Sequence, residues 1–127
     1  MLTEIRAVRQ DADGRRRHWF QDDFFDLFAW TDAAGDIVAF QLCYDRLRDE
    51  HVLAWSGEAG FAHRRIDDGE DLPGPKMSPL MVADGRIDAR RIADEFERRS
   101  GGLDARWRGF VLARIAEAAR AAAAGGR

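Results

Sequence analysis

Between Phe24 and Trp55, apolar and polar residues alternate through three strand-like runs, and one pairing of those runs sorts nearly every side chain onto a consistent face. Ala33-Ala34-Gly35-Asp36 is a turn signal between the first two runs. Setting Asp32 opposite Ile37 then puts Thr31 against Val38, Ala29 against Phe40, Leu27 against Leu42 and Phe25 against Tyr44. A second turn around Leu47-Arg48 sets Arg46 opposite Asp49 and pairs Tyr44 with His51, Leu42 with Leu53 and Phe40 with Trp55. The two turns define the same apolar face. Strand side chains alternate with period two, so a slip of one residue in either hairpin would scatter these groups across both sides.

The opposite face is mixed. It reads as three rows: Asp26, Cys43 and Val52; Phe28, Gln41 and Ala54; Trp30, Ala39 and Ser56. It is too aromatic for plain solvent exposure and too polar for a sealed core, so it is expected to be covered. Candidate site residues therefore concentrate there: Phe24, Asp26, Phe28, Trp30, Gln41 and Cys43. Asp26 lies between Phe24 and Phe28 along its strand and across from Cys43, an apolar setting suited to a proton donor or acceptor. With Gln41, Ser56 and Trp30 beside it, the face has the elements of a small-ligand site on an aromatic floor. The competing expectation, preferred here, is a homodimer interface in which Asp26 bonds across the two-fold axis.

Around this unit, Leu2 to Arg9 reads as a strand, Asp11-Ala12-Asp13-Gly14 as a turn, and Arg15 to Phe20 as its antiparallel return. Trp19, Phe20, Asp23, Phe24, Leu27 and Phe28 also fit helical spacing, but the hairpin register claims Phe24 onward for a strand. Arg15-Arg16-Arg17 and Asp22-Asp23 read as an exposed hairpin tip. Phe61 to Ile66 is a further strand whose register the sequence leaves open, after the glycine-punctuated Ser56 to Gly60. Asp67 to Asp71 is an acidic turn, residues 73–86 form a rigid connector with Pro73, Pro75 and Pro79, and Leu80-Met81-Val82 is a candidate edge strand.

From Asp88 the period changes. Asp88 is the expected N-cap of a helix with Ala89, Ile92, Ala93 and Phe96 on one stripe, Asp94–Arg98 and Glu95–Arg99 as i,i+4 pairs, and Gly101-Gly102 as a left-handed stop. A second helix, from about Asp104 to Ala122, carries Leu103, Trp107, Phe110, Val111, Ile115 and Ala118 on one side, with Ala121 to Ala124 and the final Gly-Gly-Arg expected to fray. The clean sheet face is the partner for both stripes. The expected fold is thus α+β in a single domain: an antiparallel meander of about four to six strands over residues 1–72, the connector, and a helical hairpin over 87–122 packed on one face. Burying Phe25, Leu27, Phe40, Leu42, Leu53 and Trp55, at roughly 1.5 to 3 kcal/mol each, would supply the main driving force.

Composition bounds the function. A chain of 127 residues with 46% hydrophobic content supports one core. Net charge is −3, with ten Arg/Lys against seventeen Asp/Glu in residues 1–84 and ten against six thereafter; this argues against a nucleic-acid module, which needs a stronger positive patch interleaved with aromatics. The lone Cys43, and a Met1 to Asp11 stretch without an apolar run of signal-peptide length, point to a reducing cytoplasm. No stretch approaches the ~18 apolar residues of a membrane span.

No histidine arrangement supports catalysis: His51 reads as a core or boundary residue on the clean face, His18 lies in the less certain strand, and His63 with Asp67 and Asp68 matches no metal signature. Cys43 faces away from His51, which argues against a Cys–His pair. Lys76 is a lone loop lysine, and no phosphate-binding glycine loop, dinucleotide fingerprint or G-x-S-x-G elbow occurs. No cofactor or metal is implied, and enzymatic activity stays open. Phe40-Gln41-Leu42-Cys43-Tyr44-Asp45 and the stretch Lys76 to Gly85 resemble segments of small bacterial proteins of unassigned function. The resemblance implies a free-standing bacterial protein and carries over no site residue. The expected function is a homodimeric interaction module using the second sheet face, with a small-ligand-binding protein or minor enzyme around Asp26, Gln41 and Cys43 as the alternative.

Overall fold

The computed structural model describes residues 1–6, 10, 14–45, 50–65 and 88–125. Strands β1 (Thr3–Ile5), β2 (Arg16–Gln21), β3 (Phe25–Thr31), β4 (Ile37–Tyr44), β5 (His51–Ser56) and β6 (Gly60–Arg65) are followed by helices α1 (Ala89–Arg99) and α2 (Ala105–Gly125). The strands form one antiparallel sheet in chain order, a six-stranded meander. Both helices pack on one of its faces, as the apolar stripes require. The expected turns at residues 11–13, 46–49 and 67–71, the connector with Lys76 and the candidate edge strand at Leu80 all fall outside the described residues.

The two hairpin registers match the sequence arithmetic over most of their length. Phe25, Leu27 and Ala29 pair with Tyr44, Leu42 and Phe40, and these in turn with His51, Leu53 and Trp55. The exception lies at the end of β3, where Thr31 pairs with Ile37, not Val38, after a register shift between Trp30 and Thr31. The turn is tighter than the expected one: Asp32 N–H donates to the Asp36 carbonyl, its carboxylate accepts from the Ala34 and Asp36 N–H groups, and Gly35 has φ +92°. One residue is then surplus on β4, as in a bulge. It is Val38, whose carbonyl is used instead by Gly57 N–H at 3.1 Å.

Phe25, Leu27, Phe40, Leu42 and Leu53 are fully buried, together with Ile92, Phe96, Val111 and Ile115 from the helices. Trp55 is only half-buried; its ring meets Phe110 edge-on at 5.2 Å and lies under the Arg114 guanidinium. Phe25 meets Phe96 and Phe40 meets Phe110 in the same edge-on way, at 5.7 and 6.4 Å.

The helix ends show which local rules held. Asp88 caps α1, its carboxylate accepting from Arg91 N–H at 3.2 Å. The left-handed stop at Gly101-Gly102 does not form: among the described residues the positive φ angles belong to Asp45, Gly14, Gly35 and Gly60. A neighbouring strand end substitutes for it, since Leu2 N–H donates to the Arg99 carbonyl at 2.8 Å, Leu103 N–H to that of Ser100 at 3.0 Å, and Arg108 Nε to the buried Ser100 hydroxyl at 3.1 Å. Glu95 pairs with both Arg98 and Arg99, at 2.7 and 2.9 Å, so the expected Asp94–Arg98 pair is displaced. In α2 the helix continues through Gly125 where fraying was expected from Ala121.

Asp22 joins three parts of the chain, contrary to its reading as part of an exposed hairpin tip. Its carboxylate, 3% exposed, accepts from Phe24 and Phe25 N–H at 2.8 Å each and from Arg99 Nη1 at 3.1 Å, with the Met1 ammonium at 3.6 Å. Burial pushes its pKa up, but the two N–H bonds and the Arg99 guanidinium outweigh burial and hold the group below its ordinary 3.8. A carboxylate with a lowered folded pKa stabilises above its unfolded pKa, and that contribution fades as the pH falls through the folded value.

Two outcomes follow. Between pH 5 and pH 2 the urea midpoint of the wild type falls more steeply than that of Asp22→Asn, which starts lower at pH 6. Leu42→Ala, which opens a cavity under both helices, lowers the unfolding free energy by roughly 2 to 5 kcal/mol in the same denaturation assay.

Candidate functional site

The second sheet face carries three rows across the meander, fixed by the strand pairing. They are Gln21, Asp26, Cys43, Val52 and Arg64; Trp19, Phe28, Gln41, Ala54 and Ala62; and Arg17, Trp30, Ala39, Ser56 and Gly60. Of the six candidate residues, Asp26, Phe28, Trp30, Gln41 and Cys43 fall on this face as expected. Phe24 does not: it lies in the β2–β3 turn, meets Phe25 edge-on at 4.7 Å, sits under the Arg99 guanidinium at 4.9 Å and packs against the helix-side core.

The face divides in two. Its centre on β4 and β5 is closed, with Ala39 at 6%, Gln41 at 5%, Cys43 at 2% and both Val52 and Ala54 at 1% exposure, while Ser56, Gly60 and Arg64 beyond it are partly exposed. In its β2–β3 half, Trp19, Phe28 and Trp30 keep partial exposure. Trp19 and Phe28 stack at 5.6 Å with planes 16° apart, and the Arg17 guanidinium lies 5.8 Å from the Trp30 ring. Asp26 is held from its own row and the next, one carboxylate oxygen accepting from Trp19 Nε1 at 2.9 Å and Gln21 Nε2 at 2.8 Å. The Trp19 bond anchors its ring beside Phe28 in an aromatic strip. Among the described residues no cluster of three His, Cys, Asp or Glu side chains is placed to hold a metal.

A second polar group appears on the helix-covered face, where sequence reasoning found no convergence of histidines. Tyr44, His51 and His63 form a near-parallel set of rings, with centroids 5.7, 5.9 and 5.3 Å apart and planes within 18° of one another. His63 is 2% and Tyr44 4% exposed, and the Tyr44 hydroxyl and His63 Nε2 share a hydrogen bond. The sequence left the register of β6 open, and that register decides the matter: Leu53 pairs with His63, which puts the imidazole on the helix side. The signal lies in the turn before β6, where Gly60 takes φ +83° and Ala59 N–H bonds the Ser56 hydroxyl at 2.9 Å. Beside this cluster, Arg91 of α1 binds Asp45 at 2.8 Å; the Asp45 hydrogen bond raises the guanidinium pKa further.

Comparison with family models, with curated proteins and with solved structures gives no match.

The Tyr44–His63 bond is testable as a buried polar pair. Tyr44→Phe leaves an imidazole nitrogen short of its partner and lowers stability by about 1 to 3 kcal/mol, whereas Tyr44→Phe combined with His63→Leu costs less than the sum of the two single changes. Urea unfolding of the four proteins checks the cycle.

Proposed function

We propose that this protein is a non-enzymatic interaction module that works as a homodimer through the β2–β3 half of its second sheet face. The observation that carries the reading is the contrast within that face: Trp19, Phe28 and Trp30 stay partly exposed while the residues beside them on β4 and β5 are closed off. Large rings in a row with few rotatable bonds are what protein interfaces favour at their centres. The strip carries an aromatic centre and a polar rim of Arg17, Gln21 and Asp26, and can meet its own copy across a two-fold axis. On this reading Asp26 belongs to the rim and keeps its bonds to Trp19 and Gln21 in the dimer.

Burial of Gln41 and Cys43 weighs against the alternative of a ligand or catalytic pocket, since neither polar group is offered to a small molecule. The chain's single thiol has no second cysteine with which to form a disulfide, which suits a reducing, cytoplasmic setting. No helix among the described residues is long and apolar enough to cross a membrane.

Light scattering coupled to size exclusion tests the proposal. The wild type elutes at twice the chain mass, and Phe28→Asp, which sets a carboxylate in the aromatic strip, weakens the dimer at least ~30-fold with an unchanged circular dichroism spectrum. A wild type that stays monomeric at high concentration, with Phe28→Asp indistinguishable from it, would sink the reading.

A further inference from the structure

We propose that the cleft between the end of β1 and the start of β2 binds a small multivalent oxyanion of the phosphate class on the guanidinium groups of Arg6 and Arg16. The cleft measures about 160 Å³, with Glu4 and Arg6 on one wall and Arg16, Arg17 and His18 on the other. That is room for several waters or for one tetrahedral oxyanion. Gln10 closes the gap between the walls, its side-chain amide mimicking a strand: it accepts from Arg17 N–H at 2.8 Å and donates to the Arg17 carbonyl at 3.1 Å. The wall is therefore braced along its backbone.

Charge sets this cleft apart. Residues 1–84 carry an acidic excess, yet among the described residues the lining holds Arg6, Arg16 and Arg17 with Glu4 as its one carboxylate; the Arg17 guanidinium is turned to the Trp30 ring, so those of Arg6 and Arg16 carry the cleft's positive charge. Arg6 and Arg16 are exposed, and no described carboxylate lies within ion-pair distance of either. Their planar forks match the paired oxygens of a phosphate.

The fourth polar group, His18, is held in place from three sides. Its Nε2 meets the Thr31 hydroxyl at 3.1 Å, its Nδ1 faces Glu4 at 3.8 Å, and its ring lies 4.9 Å from that of Trp107 on α2. Burial pulls its pKa below 6.5; Glu4 opposes that pull, while Arg16 and Arg106 add to it. The lowered pKa means that the imidazole adds little positive charge to the cleft near pH 7, which leaves the charge to Arg6 and Arg16. Arg106 itself is turned to the Gly35 carbonyl and contributes only to the field.

The test uses the full chain and inorganic phosphate. Titrated at constant ionic strength against sodium chloride, phosphate raises the melting temperature and shifts the His18 ring protons along a saturable curve. Arg6→Ala and Arg16→Ala each weaken binding about tenfold, and Glu4→Gln tightens it by removing an opposing charge from the lining. Arg90→Ala, on the exposed flank of α1, leaves binding at the wild-type value. Both cleft arginines are solvent-exposed, so the variants fold, and unchanged circular dichroism verifies this. The site is overturned if phosphate acts no differently from chloride, if the Arg6→Ala/Arg16→Ala double variant binds as the wild type does, or if Arg90→Ala loses as much. Acetate binding as tightly as phosphate would overturn the ligand class.

Discussion

The structure depends on a shared parity. In β3, β4 and β5, every second side chain must point toward the helices at once, because a central strand carrying Leu42 and Phe40 can be buried only if Leu27 and Ala29 on one side and Leu53 and Trp55 on the other occupy the same rows. A slip of one residue would turn this apolar set to the other side and bring Asp26, Gln41 and Cys43 beneath α1 and α2. The energetic gap between the two registers is therefore the whole apolar burial of the core, far larger than any single contact. A local deviation such as the bulge at Val38 is tolerated because it falls at the strand end, where the one surplus residue leaves Ile37 packed on the core and Thr31 buried.

Parity alone would leave the ends of the sheet loose, and they are tied by polar groups. Asp22 draws the β2–β3 turn, the chain start and the last turn of α1 to a single carboxylate, and Leu2 N–H then takes a carbonyl that α1 would otherwise leave unsatisfied. At the opposite end, Arg91 joins α1 to Asp45 just past β4, beside the Tyr44, His51 and His63 rings. Helix α1 is thus clamped at both ends by arginine, while its apolar stripe, Ala89, Ile92 and Phe96, supplies the burial between them. The clamps set position; burial supplies the stability.

The same sheet explains where function can reside. A face closed by helices is committed to stability, so chemistry or recognition must fall on the other face, at the strand ends, or along the edges. The second face offers half of its area, the aromatic strip on β2 and β3, because Gln41, Cys43, Val52 and Ala54 are buried. The open end between β1 and β2 collects arginines that the core has no use for. One surface is aromatic and partly exposed, the other a small cleft lined by arginines, so the two proposals made above rest on separate parts of the sheet.

Much of this was legible in the chain. Alternation with period two located the three central strands and their pairing, and a period near 3.6 located both helices and their buried stripes, because each pattern is local and repeats often enough to outvote single exceptions. The same arithmetic put Asp26, Phe28, Trp30, Gln41 and Cys43 on one face. It could not say which of them remain accessible, because exposure depends on the whole surroundings of a face and not on the parity of a strand.

Contacts between distant segments required the tertiary structure. Asp22 and Arg99 are separated by 77 residues and meet through the docking of α1, so nothing near Asp22 in sequence distinguishes it from a solvated turn carboxylate. His63 reaches Tyr44 only in one register of β6, and a turn holding two glycines permits more than one. The helix stop expected at Gly101-Gly102 failed for a related reason: a left-handed glycine is the local way to satisfy a helix end, but Leu2 N–H, brought near by the fold, did the same work. The amino-acid sequence by itself determined strands, helices and the face each one buries, since those follow from repeated local preference. Only the folded chain decided which polar groups meet and which aromatic rings stay in reach of solvent, because such encounters depend on the relative placement of whole elements.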